Sequence, residues 1–144
     1  VIDFHIEQVM ECIKSERVPV LSPLAQNADD DTFPLNINAD LAAAALASRL
    51  KATKLVFLSD VLGVLRDKDD PSTLIHTINE TEAEQMIADG VIAGGMIPKV
   101  RSSVEALHAG VEKVHMVDGR IPHSLLIEVF TDQGVGTEFL PANS

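Results

Sequence analysis

The chain contains no tryptophan or tyrosine, and only five phenylalanines among its 144 residues. Its core must therefore be assembled from Val, Ile, Leu, Ala and Met. The same scarcity removes the stacking platforms on which single-stranded nucleic acids are held. Basic residues are few as well: 11 Lys and Arg stand against 22 Asp and Glu, a formal net charge of −11. Phosphate backbones require basic surface, so nucleic acid is excluded as a partner. ATP makes a smaller demand, which a helix N-terminus and a few focused cations can meet. A single cysteine, Cys12, permits no internal disulfide and suits a reducing cytoplasm. No apolar run reaches the ~20 residues that span a bilayer. The start, Val1–His5, has neither a basic n-region nor a signal-peptide core. The expectation is a cytoplasmic protein that engages neither membrane nor nucleic acid. The missing initiator Met suggests a chain cut from something longer.

What is present is a globular pattern: 46% hydrophobic residues and a mean hydropathy of +0.16. Residues 3–16 read as a helix, with Ile6, Val9, Met10 and Ile13 on one stripe. Val18–Leu21 reads as a buried strand, and residues 24–35 as a hairpin with a solvated acidic tip at Asp29–Asp31. Asn38 or a neighbour caps an alanine-rich helix that runs to Leu50. Leu55–Leu58 is apolar on both faces, as a central strand covered by helices should be. Thr81 and Glu84 have the spacing of a capping box for a helix that stops at Gly90. Pro98 opens a further helix to about Ala109, Val114–Val117 is a buried strand, and Ser124–Phe130 a last helix. Thr137–Leu140 would close the sheet as an edge strand. Alternation of this kind predicts an α/β protein, a three-layer αβα sandwich with a mainly parallel sheet, as a single domain over residues 1–144.

Lys99 and Arg101 fall in a helix first turn, where the dipole disfavours cations by about 0.3–1 kcal/mol. A bound polyanion would reverse that sign, since the lysine, the helix end and the Gly94–Gly95 amides would share one charge. A solvated surface lysine accounts for the segment equally well. Asp40 is stabilised in the opposite sense at its own helix start and needs no function to explain it. Ser59–Leu65 follows a strand's carboxyl end, where open α/β sheets bind ligands; an ordinary turn is the simpler alternative. There is no P-loop and no G-x-G-x-x-G. His5, His76, His108, His115 and His123 show no metal-ligand spacing and read as surface or packing residues. No metal site is expected. Glu128, on the last helix, reads as solvated, and Gly134 as a terminator.

Four segments in order carry a resemblance: Asn36–Asp40, Leu58–Val61, Gly94–Lys99, and the stretch from Val117–His123 to Phe130–Thr137. Together they resemble the carboxy-terminal, nucleotide-binding half of the acetylglutamate-phosphorylating members of the amino acid kinase family. The resemblance implies that the amino-terminal, substrate-gripping half is absent, with its glycine-rich loop and second lysine. It implies transfer of the ATP γ-phosphoryl group to the side-chain carboxylate of N-acetyl-L-glutamate, in arginine biosynthesis. Lys99 would stabilise the transferring group, Asp40 would orient the active-site lysines, and Asn36 would meet the acyl-amino-acid substrate. Asp60, Val61, Leu62, Gly63, Val64 and Leu65, with Val91, Ile92 and Ala93, would line the nucleotide pocket, Mg2+ arriving with ATP. Glu128 and Gly134 would hold L-arginine as an allosteric inhibitor. A homo-oligomer is expected, and the isolated chain should be inactive.

Two alternatives stand beside this one. The chain could come from another amino acid kinase, acting on glutamate, aspartate, carbamate or a nucleoside monophosphate. It could instead be a nucleotide- or arginine-binding regulatory module without catalysis.

Overall fold

The computed structural model describes residues 4–27, 32–131 and 134–142. Asp29–Asp31, expected at a hairpin tip, lie outside the described residues. The first helix, α1 (Ile6–Lys14), carries the anticipated apolar stripe, yet Met10 and Ile13 on it are exposed and only Val9 is buried. The expected strand at Val18–Leu21 does not form, and Val18 and Val20 are 87% and 94% exposed. Branched apolar residues favour a strand only when a pleated neighbour receives them, and no described strand pairs with this segment. The hairpin is present: β1 (Leu24–Ala25) pairs antiparallel with β2 (Leu35–Asn36).

From there the packing tightens. Helix α2 (Ala39–Leu50) is capped as expected, the Asn38 side chain accepting the Leu41 N–H at 3.1 Å. The main sheet contains β3 (Lys54–Ser59), β4 (Thr77–Asn79), β5 (Lys113–Asp118) and β6 (Thr137–Leu140), in the order β3-β5-β6-β4. The β3–β5 and β4–β6 pairs are parallel, and β5–β6 is antiparallel. The sheet is thus mainly parallel. Two strand positions differ from expectation. β3 lies at a sheet edge, with Leu58 57% exposed, and β6 is interior, because the short strand β4 pairs along its outer side. An apolar run does not distinguish an edge from a centre.

Helices α3 (Glu80–Ala88) and α4 (Met96–His108) join α2 on one face. There Ala83, Val100, Val104, Val114, Met116, Ile78 and Phe139 form one buried cluster. Full burial of each larger side chain stabilises the fold by about 1.5–3 kcal/mol. The capping box of α3 is Asn79 with Glu82, two residues before the expected one, and the helix starts at Glu80. His108, at the end of α4, pairs with Glu80 at the start of α3. The opposite face receives α5 (Ser124–Phe130), completing three layers.

This topology fixes where chemistry can gather. α2 leads into β3 and α4 into β5 through short connections, so each helix runs antiparallel to its strand. The N-termini of α2 and α4 therefore lie at the carboxyl ends of β3 and β5. The loop after β3 departs from that same end.

Candidate active site

Asp40 is the second residue of α2 and Lys99 the fourth of α4; Arg101 lies beyond the first turn in which it was expected. Because α2 and α4 pack side by side, the two helix starts face each other. Lys99 Nζ donates to Asp40 Oδ2 at 3.1 Å, each side chain retaining 29% of its exposure. At that exposure an ion pair contributes about 0–1 kcal/mol, too little to lock either group. The pair sits beside a cleft of about 280 Å³ lined by Asn38, Asp40, Leu41, Ile97 and Arg101. Gly94 and Gly95, before α4, have open space where a side chain would stand. Asn36 is exposed at the end of β2.

The segments expected to line a nucleotide pocket divide by burial. Asp60, Val91 and Ala93 are exposed, whereas Val61, Leu62 and Leu65 are half-buried. Val64 and Ile92 are 1% and 2% exposed, with side chains in the core, so they support the loops from beneath. Beside them, Ser59 and Asp118 stand in register at the ends of β3 and β5. Asp118 accepts Arg120 Nε at 2.9 Å and Nη2 at 2.8 Å, with the Arg120 backbone N–H at 2.9 Å. These bonds, the guanidinium's first, hold the Asp118 carboxyl below the usual carboxylate range.

A second polar cluster occupies the α5 face. Glu128 is buried, contrary to the solvated residue that its helix position suggests. Its Oε2 accepts the N–H groups of Val135 at 2.7 Å and Gly136 at 3.2 Å, and Oε1 accepts His115 Nδ1–H at 2.7 Å. Burial by itself raises the Glu128 pKa. The bonds from Val135, His115 and Gly136 together outweigh it and leave the carboxyl below its ordinary 4.5. Gly134 has φ +58°, and a Cβ there would lie 2.6 Å from Glu128 Oε2, so the close approach requires glycine. Beside this cluster opens a cavity of about 770 Å³, lined among others by Lys54, Lys113, His115, Gly134 and Glu138. Lys113 Nζ reaches Glu138 Oε1 at 2.7 Å, while the buried His115 Nε2 has no hydrogen-bond partner.

The sequence reading gives His115 a surface or packing role and Thr137 a place in an edge strand, and assigns neither a part in a site. The signal for His115 was its polarity inside the otherwise apolar run Val114–Val117, which places it opposite Val114 and Met116. Thr137 offered none, since its partners are Val64 and Ile75, far away in the chain. Among the described residues no group of three or more His, Cys, Asp or Glu is placed to hold a metal ion. No described helix is long and apolar enough to cross a membrane.

The amino acid kinase family model matches residues 1–118. The chain is 52% identical over 134 residues to the acetylglutamate kinase of Akkermansia muciniphila, covering 93% of this chain and 45% of that enzyme. It therefore spans less than half the length of this curated relative. Among solved structures it is similar to N-acetylglutamate synthase from Neisseria gonorrhoeae complexed with coenzyme A and L-arginine. That likeness has a TM-score of 0.85 and 28% identity, and covers 96% of this chain and 31% of the synthase. Carbamate kinase from Giardia lamblia, at 22% identity and a TM-score of 0.67, shares the fold over 97% of this chain and 46% of its own.

Proposed function

This chain belongs to the amino acid kinase family, and on that premise we propose that it is the nucleotide-binding half of an acetylglutamate kinase. The polypeptide it serves transfers the γ-phosphoryl group of ATP to the side-chain carboxylate of N-acetyl-L-glutamate, in the arginine pathway of the cytoplasm. The observation that carries this reading is the Lys99–Asp40 pair between two helix N-termini at the carboxyl ends of the strands. Identity of 52% to a relative named for that activity supports the choice of acceptor.

The acceptor, a carboxylate with an ordinary pKa of about 4.3, is ionised at neutral pH and needs no general base. The task is to bring two anions together and to neutralise the charge spreading over the phosphoryl oxygens. Lys99 supplies that charge from a helix start whose dipole adds to it. Asp40 orients the lysine while idle and yields when phosphate arrives, which a half-exposed single contact allows. Mg2+ enters with ATP as part of the substrate. The Asp60–Leu65 and Val91–Ala93 loops hold the nucleotide, and Asn36 meets the acyl amino acid.

The test joins this chain to the part of the Akkermansia enzyme that lies outside the 45% it matches. The joined polypeptide should release ADP only with N-acetylglutamate, and hydroxylamine should trap the acyl phosphate. ATP binding without turnover would leave a regulatory module, and turnover with carbamate or free glutamate would name a different kinase. The 144-residue chain alone should show no turnover.

A regulatory site for L-arginine at Glu128 and Gly134 is the second part of the reading. The adjacent cavity presents lysines to a carboxylate, glutamates to a cation, and an imidazole nitrogen that makes no hydrogen bond. That mixture suits a zwitterion with a basic side chain, and a structural relative is described as an arginine complex. Calorimetric titration of the joined polypeptide with L-arginine should give binding heat, weakened by Glu128→Ala. We further propose a homo-oligomer, which would bury the apolar residues exposed between Met10 and Leu41.

A further inference from the structure

One buried hydroxyl ties down the loop at Asp60–Leu65. Thr137, the first residue of β6, is 0% exposed, and its Oγ1 accepts the Val64 N–H at 2.9 Å. The same oxygen donates to the Ile75 carbonyl at 2.7 Å. Val64 and Ile75 are themselves joined, the Ile75 N–H donating to the Val64 carbonyl at 2.9 Å. The excursion between them is thereby closed at its neck, and Thr137 pins that neck to the sheet. Gly63 is shaped by the same group. It has φ +147°, and a Cβ there would lie 2.5 Å from Thr137 Oγ1, so the position accepts glycine alone.

We propose that Thr137 is a positioning residue for nucleotide binding, setting through its hydroxyl the path of Asp60–Leu65 without itself touching ATP. The proposal rests on the reading that this loop holds the nucleotide. The pinning point, Val64, lies within that loop, and the other tie of Thr137 Oγ1 goes to Ile75, which closes the excursion that follows the loop. β6 is packed between β5 and β4, so the hydroxyl has a rigid base. Losing it would leave a buried N–H and a part-buried carbonyl each short of a partner, and the loop would relax to satisfy them.

The experiment compares Thr137→Val, which keeps the shape and loses the hydroxyl, with Thr137→Ser, which keeps the hydroxyl. Backbone amide spectra of the chain, titrated with ATP and Mg2+, report binding at Asp60–Leu65, and hydrogen exchange reports the Val64 amide. Thr137→Val should speed Val64 exchange and weaken ATP about tenfold, whereas Thr137→Ser should stay within about twofold of the parent. Both should keep the spectrum of β3 and β5. Val64 exchanging fast with ATP affinity unchanged would overturn the positioning role and leave the nucleotide reading standing. A parent chain whose Asp60–Leu65 amides ignore ATP would overturn both. Thr137→Ala is the second hydroxyl-free variant. Unfolding of both Thr137→Val and Thr137→Ala would also overturn the proposal, because the hydroxyl would then serve the whole fold rather than the loop.

Discussion

Two carboxylates on opposite sides of the sheet illustrate different uses of negative charge. Asp40 is half-exposed, sits at a helix start and meets one cation across 3.1 Å. Glu128 is buried on the α5 face and takes three hydrogen bonds from its own chain. The first arrangement is cheap to make and cheap to undo, as the proposed phosphate site would require. The second is built once, at folding, and shapes the wall of a cavity. Exposure and the number of donors separate a carboxylate free to exchange partners from one fixed by the fold, although both are acids near helix ends in the sequence.

Removing each side chain should break the symmetry most sharply. Glu128→Ala leaves a buried N–H at Gly136, a part-buried N–H at Val135 and a buried imidazole without their acceptor, so it should cost about 3–5 kcal/mol of stability. Asp40→Ala should cost less than about 1 kcal/mol by the same chemical denaturation. Equal losses would mean that the difference in burial has no energetic meaning.

Acid gives a graded version of this contrast. Because the folded pKa of Glu128 lies below its ordinary 4.5, its contribution is fully present above that value and fades as pH falls through the folded pKa. Acid unfolding of the parent should therefore steepen below about pH 4.5, and Glu128→Gln should flatten that limb. A Glu128→Gln variant with an unchanged acid limb would assign the slope to other carboxylates, Asp118 first among them.

A local effect is expected at the cap of α2. Asn38→Ala removes the cap that receives the Leu41 N–H and should lower the melting stability by about 1 kcal/mol. If it also loosens ATP, the helix start contributes to the site as well as to the fold.

The bounds of α5 and the cap of α2 were legible because local chemistry decides them. Meeting of Lys99 with Asp40 required the family resemblance, since neither residue stands out from a solvated surface on its own. The cap of α3 slipped by two residues because Asn79 and Thr81 both offer a capping side chain followed by a glutamate at the right spacing. Strand β4, three residues long, leaves no periodic trace, and without it β6 looked like an edge. Val18–Leu21 has the composition of a strand but no pairing neighbour among the described strands. The least legible parts were those fixed by remote partners: His115 needs Glu128, and Thr137 needs Val64, 73 residues away.

The central claim is that the cation at the start of α4 acts on phosphoryl charge as it develops. Turnover and ATP affinity of Lys99→Ala, measured side by side in the joined polypeptide, test it most directly. The account predicts that kcat falls about 10²–10³-fold while ATP binding weakens far less, with Lys99→Arg giving only partial recovery. Turnover equal to that of the parent, or a loss confined to ATP affinity, would contradict it.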